Sequence, residues 1–173
     1  MAFELSSSGH RIPTSHEVIR SIQQTFAGVG REDGVTLHET REIDLYSGPH
    51  ERAVARLLDT DEMWEQVPAA SIAKFSEALC FLDPKGFRYY IPAFMIWTIK
   101  NYRKSDSCSG DYTLYALCRL DKSDSDSTAR LNLLNDRQRS AIAMFLLYFS
   151  SEAYNEEIVE VIHRFWRGYL PDQ

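Results

Sequence analysis

Apolar residues recur at helical spacing along most of the chain, between short breaks rich in glycine, proline and serine. Near the amino end, Val18, Ile22 and Phe26 share one face of a helix that begins at Ser15 and ends before Gly28. Alternation with a period of two, the signature of a half-exposed strand, is nearly absent. The pattern therefore predicts an all-α protein, an irregular bundle of about six to eight helices with room for one small hairpin.

Start and stop signals place the next helices. Thr36 is followed three residues later by Glu39, a capping box that predicts a helix reaching Tyr46, which it would bury with its other apolar residues. Glycine and proline then break the chain. We expect further helices over about 50–58 and about 71–79.

The carboxyl-terminal half is also predicted to be helical. The segment 112–120 fits a helix or a strand, and we favour the helix. Asn135 is a good N-cap for a helix with a long apolar face. One last helix is expected over about 151–169, with apolar residues on one side and glutamates on the other.

The most unusual stretch lies in the middle of the chain. Asp83–Gly86 has the composition of a turn, with proline at its second position and glycine at its fourth. The aromatic segment 87–91 is expected to be extended, because Pro92 disfavours the helical conformation of the residue before it. Pro92 would then begin a helix that runs to about Tyr102.

Length and composition indicate one ordinary globular domain. The chain has 173 residues, of which 44% are hydrophobic and 25% charged, enough for a core without metals or disulfides. We assign a single helical domain to 14–170 and a flexible segment to 1–13. No apolar run reaches the roughly 20 residues of a membrane span, and the amino end lacks a signal-peptide pattern.

The cysteines indicate a reducing compartment. Cys80, Cys108 and Cys118 are odd in number and form no CxxC pair, which fits free thiols better than a disulfide framework. We therefore expect a cytoplasmic protein without a membrane partner.

Negative charge is concentrated in one segment. The whole chain carries a formal charge of −6, and residues 31–66 alone, with ten acids and four bases, account for it. A solvated helix face is the common reason for such a run. An acidic surface also repels nucleic acid and attracts basic partners, so we expect a protein partner rather than a nucleic acid.

No motif for catalysis or for a cofactor is visible. A nucleophile elbow, an HExxH pair and a phosphate-binding glycine loop are all missing from the sequence. His38 and Glu42 share a helix face, which could begin a metal site, but no second histidine stands at ligand spacing. We predict no catalytic residue, no metal and no cofactor.

Arg88, Tyr89 and Tyr90 allow two interpretations. They could line a pocket, with Asp44, in which Arg88 holds an anion. Alternatively they form a structural lock, in which Arg88 pairs with Asp44 or another acid of 31–66 and the tyrosines fill the core. A buried arginine needs a partner, which favours the lock.

The segment Gly86-Phe87-Arg88-Tyr89-Tyr90-Ile91-Pro92-Ala93, preceded by Phe81-Leu82, resembles the central motif of a widespread bacterial domain family of unknown function. The resemblance covers roughly residues 15–150 and implies no activity. By analogy of class alone, small acidic helical domains resemble immunity proteins of bacterial toxin systems.

Two functions from different classes follow from these observations. The first is a non-enzymatic protein-binding domain, in its sharpest form an immunity protein that neutralises a cognate toxin through an acidic surface. Its candidate partner-binding residues are Glu62, Glu65, Glu156, Glu157 and Glu160. The second is a small-ligand-binding protein or enzyme that uses a pocket around Arg88, Tyr89 and Tyr90.

Overall fold

The computed structural model describes residues 10–153 and 155–171, and the fold of this part is all-α, as predicted, without a strand. The predicted flexible segment 1–13 falls outside the described residues as far as residue 9. The ten α-helices are α1 (Ser15–Thr25), α2 (Leu37–Asp44), α3 (Pro49–Arg56), α4 (Ala69–Lys74), α5 (Ala78–Phe81), α6 (Pro84–Asn101), α7 (Ser109–Cys118), α8 (Ser125–Leu133), α9 (Asp136–Glu152) and α10 (Glu156–Arg164).

Side-chain caps fix where several helices begin. Thr36 accepts the backbone N–H of Glu39, and the Glu39 carboxylate accepts the backbone N–H of Thr36, which confirms the capping box of α2. Asn135 and Gln138 exchange the same pair of hydrogen bonds at the start of α9. These bonds satisfy donors that the first helical turn leaves without a partner.

The expectation for the central stretch is wrong. Asp83 caps α6, Pro84 takes its first position, and the helix continues through the aromatic segment and Pro92 to Asn101. Pro92 cannot donate to the carbonyl of Arg88 and its ring crowds that carbonyl, a cost that α6 offsets by burying the side chains around it. Tyr89 and Tyr90 are both 0% exposed. No hairpin forms in this stretch.

Two other predicted helices have different boundaries in the structure, and one helical prediction is confirmed. The helix expected over 71–79 is divided into α4 and α5, and the one expected over 151–169 begins at α10 because α9 extends to Glu152. Asn155 supplies the new N-cap, accepting the backbone N–H of Glu157. The ambiguous segment 112–120 is helical: α7 covers it to Cys118, and a short 3-10 helix, Arg119–Asp121, follows.

The described chain divides into two compact units. One contains the residues up to Ala27 and those from Leu117 onward, and the other is Gly28–Ala116. In the first, α1 and α10 pack on α9, where the rings of Phe145 and Phe149 lie 4.8 Å apart. Trp166 is fully buried in a short 3-10 helix after α10.

In the second unit, α6 is the central helix and contacts α4 and the 3-10 turn Trp64–Gln66. The loop that contains Val35 packs against the first turn of α6, backbone against backbone. The Asp83 carboxylate accepts the N–H groups of Val35 at 2.8 Å and Gly86 at 2.9 Å. A β-carbon on Gly86 would lie 2.5 Å from the carbonyl oxygen of Val35. The loop and helix can approach this closely only because residue 86 has no side chain.

None of the described helices is both long enough and apolar enough to cross a membrane.

Candidate interaction surface

Arg88 reaches from α6 to an acid of the predicted acidic segment, and that acid is Glu32. Its Nη2 lies 2.7 Å from the Glu32 Oε1. Lys85, one turn earlier, approaches the other oxygen of Glu32 at 3.2 Å and Asp33 at 2.6 Å. The base of α6 is therefore joined to the 32–33 loop by ion pairs within one unit.

Tyr89 and Tyr90 extend this connection inward. The Tyr89 hydroxyl donates to Asp61 at 2.9 Å, and Arg31 donates to the Tyr90 hydroxyl at 3.0 Å. Arg31 also pairs with Asp61 at 3.1 Å. The two rings meet edge to face, with centroids 4.8 Å apart. This geometry is that of an internal polar network that attaches the chain around residues 31 and 61 to α6.

Both tyrosines remain protonated in this network. Burial, reinforced by the negative charge of Asp61, raises the pKa of Tyr89 and the pKa of Tyr90 above the ordinary value. A neutral hydroxyl can donate to Asp61, whereas a phenolate could not. The arrangement favours the structural lock over a reactive site.

Replacing Arg88 by methionine tests the lock. We expect the free energy of unfolding to fall by about 1 kcal/mol, a decrease in Tm of roughly 2–4 °C, because the pair is partly exposed. Glu32→Gln should cost a similar amount, and the double variant less than the sum of the two. Thermal unfolding followed by circular dichroism measures all three. An unchanged Tm for Arg88→Met would return Arg88 to the list of ligand contacts.

Asp44, which was predicted to lie with Arg88, instead lines a cavity of about 360 Å³ that does not include Arg88. Lys74, Glu77 and the ring of Phe75 line it as well. Acidic and basic side chains both surround this cavity, so its charge selects neither cations nor anions.

The polarity of α3 is reversed relative to an ordinary surface helix. Arg52 and Arg56 lie on its inner side and pair with the buried Glu39 of α2, at 2.8 and 3.0 Å. The Glu39 side chain is only 8% exposed. On the inner side of α3, an ion cluster thus lies beside the small buried Ala55, where an amphipathic helix normally packs large apolar side chains.

The apolar side chains of α3 and the turn after it point outward. Val54 is 51% exposed, Leu57 77% and Leu58 61%. Their spacing of three and four residues places them on one face, and Glu51, also exposed, lies on the same face one turn earlier. Exposed apolar groups rimmed by acids are typical of binding sites rather than of an inert surface.

Other exposed apolar residues lie in the same part of the chain. Among the described residues, the large apolar side chains that are strongly exposed are those of Tyr115 and of six residues between 45 and 63. We call these six the apolar surface: Leu45, Tyr46, Val54, Leu57, Leu58 and Met63.

Tyr46 is the most exposed member of the apolar surface, with 96% of its area accessible. The prediction that it is buried is wrong. It follows the last residues of α2 in the left-handed conformation, with φ of 56°. Its N–H donates to the carbonyl of Ile43, and the N–H of Ser47 donates to that of Glu42. This is a Schellman motif with tyrosine in the position that usually belongs to glycine.

The acids around the apolar surface are not neutralised by the nearby bases. Asp44, Glu51, Glu62 and Glu65 are exposed, and no ion pair to them occurs within the described residues. Three of the four bases of segment 31–66 pair with other acids: Arg31 with Asp61, and Arg52 and Arg56 with Glu39. The fourth base, Arg41, is exposed on α2, so the surface that remains is apolar with a rim of four acids and one base.

The other predicted partner-binding acids lie in the other unit. Glu156, Glu157 and Glu160 are exposed on α10. Where this unit is described, it has no strongly exposed large apolar side chain. These three acids fit the common solvated helix face, whereas Glu62 and Glu65 accompany the apolar surface.

The residues considered for a metal site have other partners. The two oxygens of Asp59 accept from the backbone N–H of His38 at 2.8 Å and meet its Nδ1 at 2.9 Å. Glu42 accepts the hydroxyl of Ser47. The described part of the chain contains no group of three or more histidine, cysteine or acidic residues placed to hold a metal ion.

The apolar surface is not predicted by the sequence pattern. Val54, Leu57 and Leu58 have the spacing of a buried face, and the usual inference is that such a face points to the core. The sequence shows the two arginines of α3, but the burial of Glu39 that turns them inward is visible only in the folded chain. Arg52 and Arg56, on the opposite side of α3, match Glu39 in charge and can form the inner contact.

Comparison with known protein families identifies the family of this chain. It belongs to a family of unknown function (DUF6714), whose profile matches residues 14–170, and the expected resemblance to an uncharacterised domain family is thereby confirmed. No curated protein and no solved structure matches the chain.

Proposed function

We propose that this chain is a protein-binding domain that engages a basic partner protein through the unit Gly28–Ala116. The observation that carries the proposal is the acidic rim without ion pairs around the apolar surface. A partner with complementary positive charge would be attracted over several ångströms and oriented before contact. In the more specific form, the partner is a bacterial toxin and the chain its cytoplasmic immunity protein.

The distribution of charge supports binding rather than catalysis. The charged and polar groups that converge inside this unit, such as Arg31 with Asp61 and Arg52 with Glu39, bond to one another and stabilise its structure. On its surface, four exposed acids (Asp44, Glu51, Glu62 and Glu65) accompany the exposed apolar side chains of the same segment, against the single exposed base Arg41. This composition suits recognition of a protein surface.

Charge reversal at two matched places tests the proposal. Glu62→Lys/Glu65→Lys reverses two acids near the apolar surface, and Glu156→Lys/Glu160→Lys reverses two on α10, so both variants have the same net charge. A partner captured from host lysate at low salt would be identified by mass spectrometry and purified. Its dissociation constant with each variant would then be measured by calorimetry at low and high salt.

We expect the first variant to bind about tenfold more weakly, with a flatter salt dependence. The α10 variant should stay within about twofold of the unmodified protein at high salt, where only close charges act. Equal losses in both variants would show that net charge alone matters. Unchanged affinity in the first would contradict the proposal.

A further inference from the structure

We propose that the apolar surface forms the apolar, water-excluded centre of the docking site, and that a basic amphipathic helix of the partner binds there. This inference rests on the proposed function and names the segment that the site takes. Its evidence is the reversed polarity of α3, the backbone conformation of Tyr46 and the placement of the acids.

α3 and the turn after it present apolar side chains to solvent. Val54, Leu57 and Leu58 form a ridge at the i, i+3 and i+4 positions, and such ridges pack into the grooves of another helix. α3 turns its arginines inward, toward Glu39, and its apolar side outward. The unit therefore presents a helix face of the kind that helix-in-groove complexes use.

Tyr46 combines a left-handed backbone conformation with an exposed side chain. At the position it occupies after α2, glycine adopts a φ of 56° freely, whereas tyrosine adopts it at a cost. The side chain makes little internal contact in return, because it is 96% exposed. Tyrosine is enriched among residues that dominate binding energies. A strained and exposed tyrosine beside an apolar face is therefore best explained by contact with a partner.

The length of α3 and the charges around it limit what can bind to the apolar surface. The eight residues of α3 span about 12 Å, and Tyr46 and Leu58 lie just before and just after it, so one interface of standard size can cover both. At its rim the four exposed acids Asp44, Glu51, Glu62 and Glu65 outnumber the exposed base Arg41, so the charge of segment 41–65 at the surface is net negative. That charge disfavours a second copy of the same acidic surface and favours lysine or arginine beside the apolar side chains of the occupant.

The probe is a fluorescent 18-residue peptide of leucine and lysine with helical periodicity, titrated with the protein and followed by anisotropy. A peptide of the same composition, rearranged so that no apolar face forms, controls for charge. A leucine–glutamate peptide with the same periodicity controls for apolarity. We expect the first peptide to bind at least tenfold more tightly than either control.

Three variants locate the site. Leu57→Ser/Leu58→Ser should weaken binding of the leucine–lysine peptide at least tenfold, while Tyr115→Ser, an exposed apolar residue outside the apolar surface, should change it less than twofold. Tyr46→Gly should weaken binding about fivefold and also raise Tm by about 2–4 °C, because glycine relieves the left-handed conformation. A residue with a purely structural role would not lose binding while gaining stability.

Several outcomes would overturn the inference. Equal binding of all three peptides, or an affinity unaffected by Leu57→Ser/Leu58→Ser, would exclude this docking site. A dimer in analytical ultracentrifugation that Leu57→Ser/Leu58→Ser dissociates would identify a second copy as the occupant. If the captured partner responds to Glu62→Lys/Glu65→Lys but not to Leu57→Ser/Leu58→Ser, the proposed function stands and the apolar docking site fails.

Discussion

Gly86→Ala is expected to lower the free energy of unfolding by about 3 kcal/mol, which corresponds to a decrease of roughly 6–12 °C in Tm. The new methyl carbon would stand 2.5 Å from the carbonyl oxygen of Val35 and 2.9 Å from the Asp83 Oδ1. Both neighbours are held in place, since Asp83 caps α6 and also binds the N–H of Val35. The loop would have to leave the helix and lose those hydrogen bonds.

The expected loss of stability for Gly86→Ala is opposite to the usual effect of replacing glycine by alanine in a helix. Residue 86 is helical, and in an open site alanine would stabilise a helix relative to glycine by up to about 1 kcal/mol. Gly30→Ala is the matched control in the same unit, because a β-carbon there meets no atom within 4 Å. We expect Gly30→Ala to change Tm by no more than about 2 °C in thermal unfolding. A gain in stability for Gly86→Ala would show that the loop and α6 do not meet as described.

Local signals were sufficient for much of the fold. The capping boxes at Thr36 and Asn135 and the periodicity of the long helices depend on residues three or four apart, and the sequence displays them directly. The start of α6 was misread because Asp83–Gly86 fits a turn and a capped helix start equally well. The choice is made by the Val35 loop, which is far away in sequence and shares the Asp83 carboxylate.

The candidate site was predicted less well for a related reason. Glu62 and Glu65 could be chosen from charge alone, but the orientation of α3 depends on which of its faces meets α2. That choice depends on Glu39, a residue from another helix. Periodicity defines a face without saying what covers it, so the apolar surface became visible only with the tertiary contacts.

Glu39→Ala should be the second large loss of stability, with the free energy of unfolding falling by about 2–3 kcal/mol. The substitution removes both ion pairs to Arg52 and Arg56 and the return half of the α2 capping box. The loss stays below that of a fully buried pair because the two arginine side chains, 40% and 33% exposed, can turn toward water. Chemical denaturation measures it, and Glu39→Gln, which retains a hydrogen-bond acceptor for the cap, should recover part of it.

A triple variant separates the effect of the ion cluster on the stability of the protein from its effect on the orientation of α3. Replacing a buried ion cluster by apolar residues of similar size is often neutral or stabilising. Glu39→Leu/Arg52→Met/Arg56→Met still loses the hydrogen bond from the Thr36 N–H to Glu39, so we expect it to unfold near the Tm of the unmodified protein and not above it. α3 would then have two apolar faces and no electrostatic reason to keep Val54 and Leu57 outward. We therefore expect weaker binding of the leucine–lysine peptide despite the retained stability. A variant that is as stable as the original and binds equally well would show that the ion cluster does not orient α3.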